Sequence, residues 1–248
     1  MELGARAYFY SLVYFNKGVC LMQILTDFSG VLAGGSGNFA KMVSEKSGVP
    51  ATMVEWYIDT KSPWWSQLFR GRVSEDIFWD AMADGFRQVA GCNYKALDSK
   101  ELKNLYHENM RVPIDGTLDV LKRIMYYPVK IGHGGRVGKG VPEVWIVTDG
   151  IAEIVKPIHE WHPEVFDVVK NEFWSCFQDT TKVDSCFFHL LPKMVGSKNP
   201  ASLLVIDNNK RNVECATIAG IPAVQFVNAE QLEDDMTQLG FVFNPKVA

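Results

Sequence analysis

Three polar residues, Asp27, Thr148 and Asp207, each follow directly after a short apolar run that is predicted to form a buried strand. If those strands are parallel neighbours, the side chains that follow them meet at one edge of a sheet. Two carboxylates brought together suit a hard divalent cation such as Mg²⁺. A hydroxyl beside them can donate to a phosphoryl oxygen, and a lysine opposite would neutralise charge in a transition state.

The elements that would carry these side chains alternate along the chain. Apolar runs that predict strands occupy residues 22–26, 144–147, 166–169, 203–206 and 223–227. From residue 112 onward, segments with helical periodicity separate these runs. The alternation predicts an α/β fold, with a Rossmann-like, doubly wound and mostly parallel sheet covered by helices on both faces.

A long helical block separates the first strand from the rest. Residues 36–111 carry helical spacing throughout, and Ser74 followed by Glu75 and Asp76 is typical of a helix start. The block is too long for a simple crossover. We therefore expect an inserted helical cap at 36–111, a core formed by 22–35 and 112–248, and an N-terminal extension at 1–21.

Composition and charge narrow the range of partners. The 248 residues are 47% hydrophobic and 22% charged with a net charge of −4, which is ordinary for a globular protein. This charge argues against a nucleic-acid partner, and no apolar run reaches the ~20 residues of a membrane span. Five scattered cysteines predict reduced thiols. We expect an intracellular, cytoplasmic protein, with an organelle left open.

Two segments have no assigned role in the sequence. Residues 1–21 are rich in aromatic residues and lack the features of a secretory signal, so we expect an extra strand or hairpin there. Met22 is an alternative natural start. Residues 128–142 are glycine-rich and basic, and they predict a mobile exposed loop, with contact to an anionic substrate or a partner as the alternative.

The motifs taken together resemble the haloacid dehalogenase-like (HAD) hydrolase superfamily. The resemblance extends from Met22 to about Leu239 and rests on segments 27–32, 146–150, 175–184 and 204–208, in that order. Residues 71–79 are similar to a cap segment of the subgroup whose helical cap follows the first motif. Four motifs in order with suitable spacing are highly specific for the fold and less specific for the activity.

The resemblance implies a role for each matched residue. Asp27 would attack phosphorus and form an aspartyl-phosphate, while Thr148 and Lys182 would bind the transferring phosphoryl group. Asp27, Asp207 and the main-chain carbonyl of Ser29 would hold Mg²⁺. The substrate would be a small phosphorylated molecule.

The sequence departs from the family pattern at two positions. Ser29 stands where the family has the acid that protonates the leaving group, and a missing general acid costs about 10²–10⁴-fold in rate. Asn208 replaces the second acid of the fourth motif, which leaves the metal set of Asp27, Ser29, Asp207 and Asn208 with less negative charge. Fewer anionic ligands predict weaker Mg²⁺ binding.

Three functions remain open on these residues. The first is a phosphatase of reduced or specialised activity, acting on a small phosphate ester. The second is a catalytically inactive scaffold or binding subunit with a protein partner. The third is a dehalogenase-type hydrolase, which lacks the metal. That type carries an aromatic residue at the position of Ser29 and an arginine in the cap, so we rank it last.

Overall fold

The computed structural model describes residues 23–58, 63–90, 94–131 and 136–245, so the predicted extension at 1–21 and the alternative start at Met22 lie outside it. The strands are β1 Gln23–Thr26, β2 Ile124–Ile131, β3 Arg136–Gly140, β4 Glu143–Thr148, β5 Val169–Trp174, β6 Leu203–Asp207, β7 Ala223–Gln225 and β8 Val242–Phe243. The helices are α1 Ser36–Ser47, α2 Ala51–Ile58, α3 Pro63–Phe69, α4 Glu75–Ala90, α5 Ser99–Met110, α6 Thr117–Lys122, α7 Ala152–Trp161, α8 Pro163–Phe166, α9 Phe187–Met194, α10 Lys210–Ile218 and α11 Ala229–Gln238.

A five-stranded parallel sheet forms the core, in the order β5-β4-β1-β6-β7. Successive side chains of β1 enter different apolar clusters, Ile24 on one face and Leu25 on the other. Helices bury both faces, which explains why the central strands are continuous apolar runs. The prediction of a Rossmann-like, doubly wound α/β fold with a mostly parallel sheet is confirmed.

The register of the sheet determines which side chains meet at its carboxyl edge. Thr26, the last residue of β1, pairs with Ile146 of β4 and with Ile206 of β6. The next residue, Asp27, is bound by its main-chain N–H to the carbonyl of Ile206 at 2.8 Å. Asp27 and Asp207 therefore leave neighbouring strands at the same level.

The strand predicted at 166–169 is wrong in position. Residues 163–166 form the short helix α8, and the strand runs instead from Val169 to Trp174. This strand lies at the edge of the sheet, and its middle residues, 170–172, are exposed and polar. An edge strand of this kind lacks the continuous apolar run that marks a central one.

The loop predicted at 128–142 is also wrong over the residues that the structure describes. β2 and β3 pair antiparallel, with Val129 opposite Gly138, and β8 pairs with the other edge of β2. Glycine is depleted in strands, so Gly138 and Gly140 mask the strand signal in the sequence.

None of the helices in the described residues combines the length and the apolar character that a bilayer crossing needs.

Helices α1 to α5 form the cap and share an aromatic core. The Trp65 ring lies 4.3 Å from that of Phe78 and 6.1 Å from that of Trp79, measured between centroids. Phe39 of α1 and Tyr106 of α5 pack edge-on at 5.5 Å. These side chains are buried and join the first and last helices of the block into one unit.

The chain passes between core and cap at a tightly packed junction. The main-chain N–H of Gly34 donates to the carbonyl of Val112 at 2.9 Å. The fully buried Asn109 donates through Nδ2 to the carbonyl of Gly35 at 3.1 Å, and its Oδ1 accepts from Asn38 at 2.7 Å. A Cβ atom at Gly34 would lie 2.3 Å from the main-chain oxygen of Asn109, so only glycine fits there.

We expect Gly34→Ala to lower the free energy of unfolding by about 1–3 kcal/mol, because the added methyl group overpacks the junction. Gly37→Ala is the matched control: Gly37 is exposed in α1, and a Cβ there would meet only a Glu55 oxygen, at 3.9 Å. In this control the free energy of unfolding should rise by up to about 1 kcal/mol, because alanine has a higher helix propensity than glycine. Urea denaturation of both variants measures the difference, and equal stabilities would contradict the proposed packing.

Candidate functional site

Asp27 lies at the carboxyl end of β1 and is nearly buried. Its Oδ1 accepts from the main-chain N–H of Phe28 at 2.8 Å and lies 3.0 Å from Nζ of Lys182. Burial raises the pKa of Asp27 to about 6. The positive charge of Lys182 and the hydrogen bond from the Thr148 hydroxyl lower this pKa, whereas the negative charge of Asp207 raises it. The carboxyl group is thus held by one ammonium and one main-chain donor.

Lys182 joins the two carboxylates that end β1 and β6. Its Nζ donates to Oδ2 of Asp207 at 2.7 Å and lies within 3.0 Å of Asp27, and the whole residue is only 5% exposed. Burial by itself lowers the pKa of Lys182, but Asp207 and Asp27 outweigh it and hold that pKa well above its usual value. The ammonium is therefore charged at every physiological pH.

Asp207 is the most firmly fixed group of the site. It is fully buried, and its Oδ1 accepts from the main-chain N–H of Asn209 at 2.8 Å. Nδ2 of Asn212 donates to both of its oxygens, at 3.2 and 3.1 Å. With Lys182 on Oδ2 as well, both oxygens are paired, as a buried carboxylate requires.

Thr148 and Asp149 leave β4 beside this ion pair. Thr148 is buried, and its hydroxyl reaches the carbonyl of Asp149 at 3.4 Å in addition to its effect on Asp27. Asp149 was missed by the sequence analysis, although it directly follows Thr148 at a strand end. Both of its carboxyl oxygens accept from the main-chain N–H of Lys182, at 3.1 and 3.3 Å. Burial raises the pKa of Asp149 to about 7.

Ser29 and Asn208 occupy the two positions that depart from the family pattern, and the structure brings them to the same site. The Ser29 hydroxyl donates to the carbonyl of Gly34 at 3.3 Å, within its own loop. The Asn208 amide packs on Gly30, which has a φ of +83° and where a Cβ would lie 2.3 Å from Nδ2. Gly30 thus allows the turn after Asp27 to approach the loop after β6.

A cavity of about 120 Å³ opens between the sheet edge and the cap. The core contributes mainly polar residues to its wall: Asp27, Ser29, Asp149, Lys182, Asn208, Asn209 and Asn212. The cap contributes uncharged and mostly aromatic ones: Ser36, Phe39, Ile58, Trp65, Phe69 and Tyr106. Of the predicted nucleophile and its predicted partners, Asp27 and Lys182 line this cavity, while Thr148 binds Asp27 and Asp207 binds Lys182 from outside the lining.

The oxygen atoms at this edge could hold a cation only through a small set of ligands. Within the described ranges, no group of three or more His, Cys, Asp or Glu residues is arranged as a metal site. The available donors are the carboxylates of Asp27 and Asp207, the Asn208 amide oxygen and the Ser29 carbonyl. These are hard oxygen ligands of the kind that Mg²⁺ takes, with two negative charges among them.

Two arginines at the end of α3 fasten the cap to the loop that carries Lys182. Arg70 donates to the carbonyl of Asp179 at 3.0 Å and forms an ion pair with Asp184. Arg72 binds both carboxyl oxygens of Asp179, at 2.7 and 3.1 Å. We call Arg70, Arg72, Asp179 and Asp184 the clasp.

The similarity that comparison with known proteins finds is structural. No protein-family model matches the sequence, and no curated protein matches it. A HAD family enzyme from Bacteroides thetaiotaomicron, in complex with magnesium and inorganic phosphate, aligns over 84% of this chain and 95% of its own, at 16% identity and a TM-score of 0.52.

Two further structures extend the comparison. A protein from Porphyromonas gingivalis described as a predicted HAD-like family hydrolase aligns over 89% of this chain and 98% of its own, at 15% identity and a TM-score of 0.57. L-2-haloacid dehalogenase from Xanthobacter autotrophicus, with chloropropionic acid covalently bound, aligns over 88% of this chain and 83% of its own, at 13% identity and a TM-score of 0.55. The chain therefore has the fold of the HAD-like hydrolases.

Proposed function

We propose that this protein is a Mg²⁺-dependent phosphatase of a small phosphate ester, with Asp27 as the nucleophile. The observation that carries the proposal is the position of the Asp27 carboxyl. It lies on the wall of the cavity between the sheet edge and the cap, and its Oδ1 lies 3.0 Å from an ammonium that also binds Asp207. A carboxylate fixed in this way can attack phosphorus in line and form an aspartyl-phosphate.

Lys182 and Thr148 support the transfer from either side of Asp27. The Lys182 ammonium neutralises the negative charge that builds up on the phosphoryl oxygens, and it does so without reorganisation because Asp207 already fixes it. The Thr148 hydroxyl is buried beside Asp27 and lowers the pKa of its carboxyl group, which favours the ionised form that attacks phosphorus. Asp207 and Asn212 act indirectly, by holding the lysine in place.

The residues at this edge fit a magnesium ion with reduced affinity. Asp27, Asp207, the Ser29 carbonyl and the Asn208 amide oxygen would hold it, and all four are the oxygen ligands that it prefers. When bound, Mg²⁺ supplies charge neutralisation and orientation of the phosphoryl group. The magnesium and phosphate bound to the Bacteroides enzyme support this assignment by analogy of fold.

The size and lining of the cavity limit the substrate. A cavity of about 120 Å³ is slightly smaller than the engineered pocket of about 150 Å³ that binds benzene. The cap side offers aromatic and aliphatic surface without a charged group. We infer a compact ester whose leaving group is uncharged and largely apolar.

The same lining argues against a haloacid substrate. A carboxylate substrate needs a cation on the cap side, and no arginine lines the cavity among the described residues. The nearby cap arginines, Arg70 and Arg72, are bound to Asp184 and Asp179 in the clasp. Dehalogenase chemistry therefore ranks below phosphoryl transfer.

The non-catalytic alternative rests on Ser29. Its hydroxyl is directed to the carbonyl of Gly34, so it offers no acid to a leaving group. If no other group moves the proton, the cavity binds a phosphorylated ligand without turning it over.

We expect the purified protein to release inorganic phosphate from a small aryl or acyl phosphate only when Mg²⁺ is present. Asp27→Asn should reduce this activity by at least about 1,000-fold, because the amide is not a nucleophile. A panel of phosphate esters with and without Mg²⁺ measures this, and 2-chloropropionate is included with chloride release as readout. Chloride release, or phosphate release that survives Asp27→Asn, would contradict the proposal.

We expect Asn208→Asp to lower the Mg²⁺ concentration for half-maximal activity, since it adds an anionic ligand. The expected shift is roughly tenfold, corresponding to about 1.4 kcal/mol of binding free energy. Asn199→Asp is the control, because it makes the same chemical change away from the site. Asn199 precedes the amino end of β6, and its side chain caps the turn at 200–202. Calorimetric Mg²⁺ titration gives an independent readout, and equal affinities in the two variants would rule out Asn208 as a ligand.

A further inference from the structure

The proposed phosphatase lacks a proton donor at the position where its family has one. An ester with a basic leaving group needs a proton as the bond between phosphorus and oxygen breaks. Ser29 stands at the family's position for that acid, and its hydroxyl is bound within its own loop. Another group of the cavity must move the proton if the chain turns over such esters.

The other groups that line the described cavity are poor candidates. Lys182 is fixed between two carboxylates, which hold its pKa well above the usual value, so it keeps its proton. Burial raises the pKa of the Tyr106 hydroxyl, with Glu75 and Asp27 adding to the rise, which makes it a weaker acid than a free tyrosine. Asp27 is committed as the nucleophile. No histidine lines the cavity in the described part of the chain.

Asp149 meets the geometric requirements. It lines the same cavity as Asp27 and Lys182, and it is half-buried at the carboxyl end of β4, next to the strand that carries the nucleophile. The main-chain N–H of Lys182 fixes its carboxyl group at 3.1 and 3.3 Å. The side chain is therefore held in one orientation by the segment that also presents the ammonium.

We propose that Asp149 is the general acid and base of this site, and that it replaces the acid missing at Ser29. The inference rests on the proposed phosphatase activity and deepens it, because it extends the substrates to esters with poor leaving groups. It also removes the main argument for an inactive scaffold.

The two proton transfers balance over one turnover. As the Asp27 oxygen bonds to phosphorus, the bond from phosphorus to the ester oxygen breaks, and the proton of Asp149 passes to that oxygen to release the alcohol. The Asp149 carboxylate then takes a proton from water while the water oxygen attacks phosphorus. The bond from Asp27 to phosphorus breaks, which releases inorganic phosphate and restores the Asp27 carboxylate and the Asp149 acid.

The electrostatic surroundings of Asp149 suit both steps. Burial raises its pKa to about 7; Lys182 opposes the rise, and Asp27 and Asp207 on the neighbouring strands add to it. A general acid and base works best with a pKa near the working pH. Alcohol release needs the protonated form, so this step should slow as the pH rises through about 7.

The test compares Asp149→Asn with Asp167→Asn in the full chain at saturating Mg²⁺. Asp167 is exposed and does not line the cavity, so the control makes the same change at a neutral site. The substrates are phenyl phosphate and p-nitrophenyl phosphate, which differ in the basicity of the leaving group. Rapid-mixing measurement of phenol or nitrophenol release isolates the first step, and intact mass detects phosphoryl-enzyme.

We expect Asp149→Asn to slow phenol release by about 100-fold or more, while nitrophenol release changes by less than about threefold. Phosphoryl-enzyme should accumulate from p-nitrophenyl phosphate, because the base for the second step is also lost. Wild-type protein alone gives a second measurement if the variant does not fold: phenol release should fall above about pH 7, and nitrophenol release should not.

The remaining outcomes separate the two proposals. If wild type is active and Asp149→Asn matches Asp167→Asn, or slows both substrates equally, the inference about Asp149 is wrong and the proposed function stands. If wild type releases neither phenol nor nitrophenol, the proposed function fails, and the role of Asp149 fails with it.

Discussion

The structure depends on one buried ammonium that pairs with two carboxylates. Lys182 contacts Asp27 and Asp207 at 3.0 and 2.7 Å in a region almost closed to water. Burying three charges is costly unless each is paired and hydrogen-bonded. The strand register, the Phe28 N–H and the Asn212 amide supply those partners. Removing the ammonium alone would leave two carboxylates facing each other, so both the fold of this edge and its chemistry require Lys182.

The residues around this ion pair would divide the requirements of the proposed phosphoryl transfer among different strands. β1 brings the proposed nucleophile, β6 the anchor of the lysine, and β4 both a hydroxyl and a second titratable carboxyl. Under the proposal for Asp149, this arrangement would compensate for the absence of an acid at Ser29, because Asp149 reaches the same cavity from another strand. A family pattern read position by position does not detect such a replacement. The cap contributes an aromatic and aliphatic wall to the cavity, so in the proposed reaction it would affect which leaving group fits more than how the bond breaks.

The sequence predicted the parts of the molecule that follow from local pattern. The central strands are continuous apolar runs, and residues such as Asp27 and Asp207 mark their carboxyl ends, so the sheet and the ion pair could be expected. β5 was placed too early because the polar residues 170–172 hide an edge strand. The clasp could not be predicted, because Arg70 and Asp184 are 114 residues apart and meet only through the packing of cap on core. Asp149 stands in segment 146–150, directly after Thr148, but the resemblance assigned it no role.

The clasp connects the cap to the turn that carries Lys182. Asp184 accepts from the Thr180 hydroxyl and from the main-chain N–H of Thr181, both at 2.9 Å, while it pairs with Arg70 of the cap. Lys182 is the next residue along this turn. Arg70 belongs to the cap, so any displacement of the cap would remove a partner from the turn that presents the ammonium. The position of the cap and the order of the turn that presents Lys182 are therefore linked through the pairing of Arg70 with Asp184.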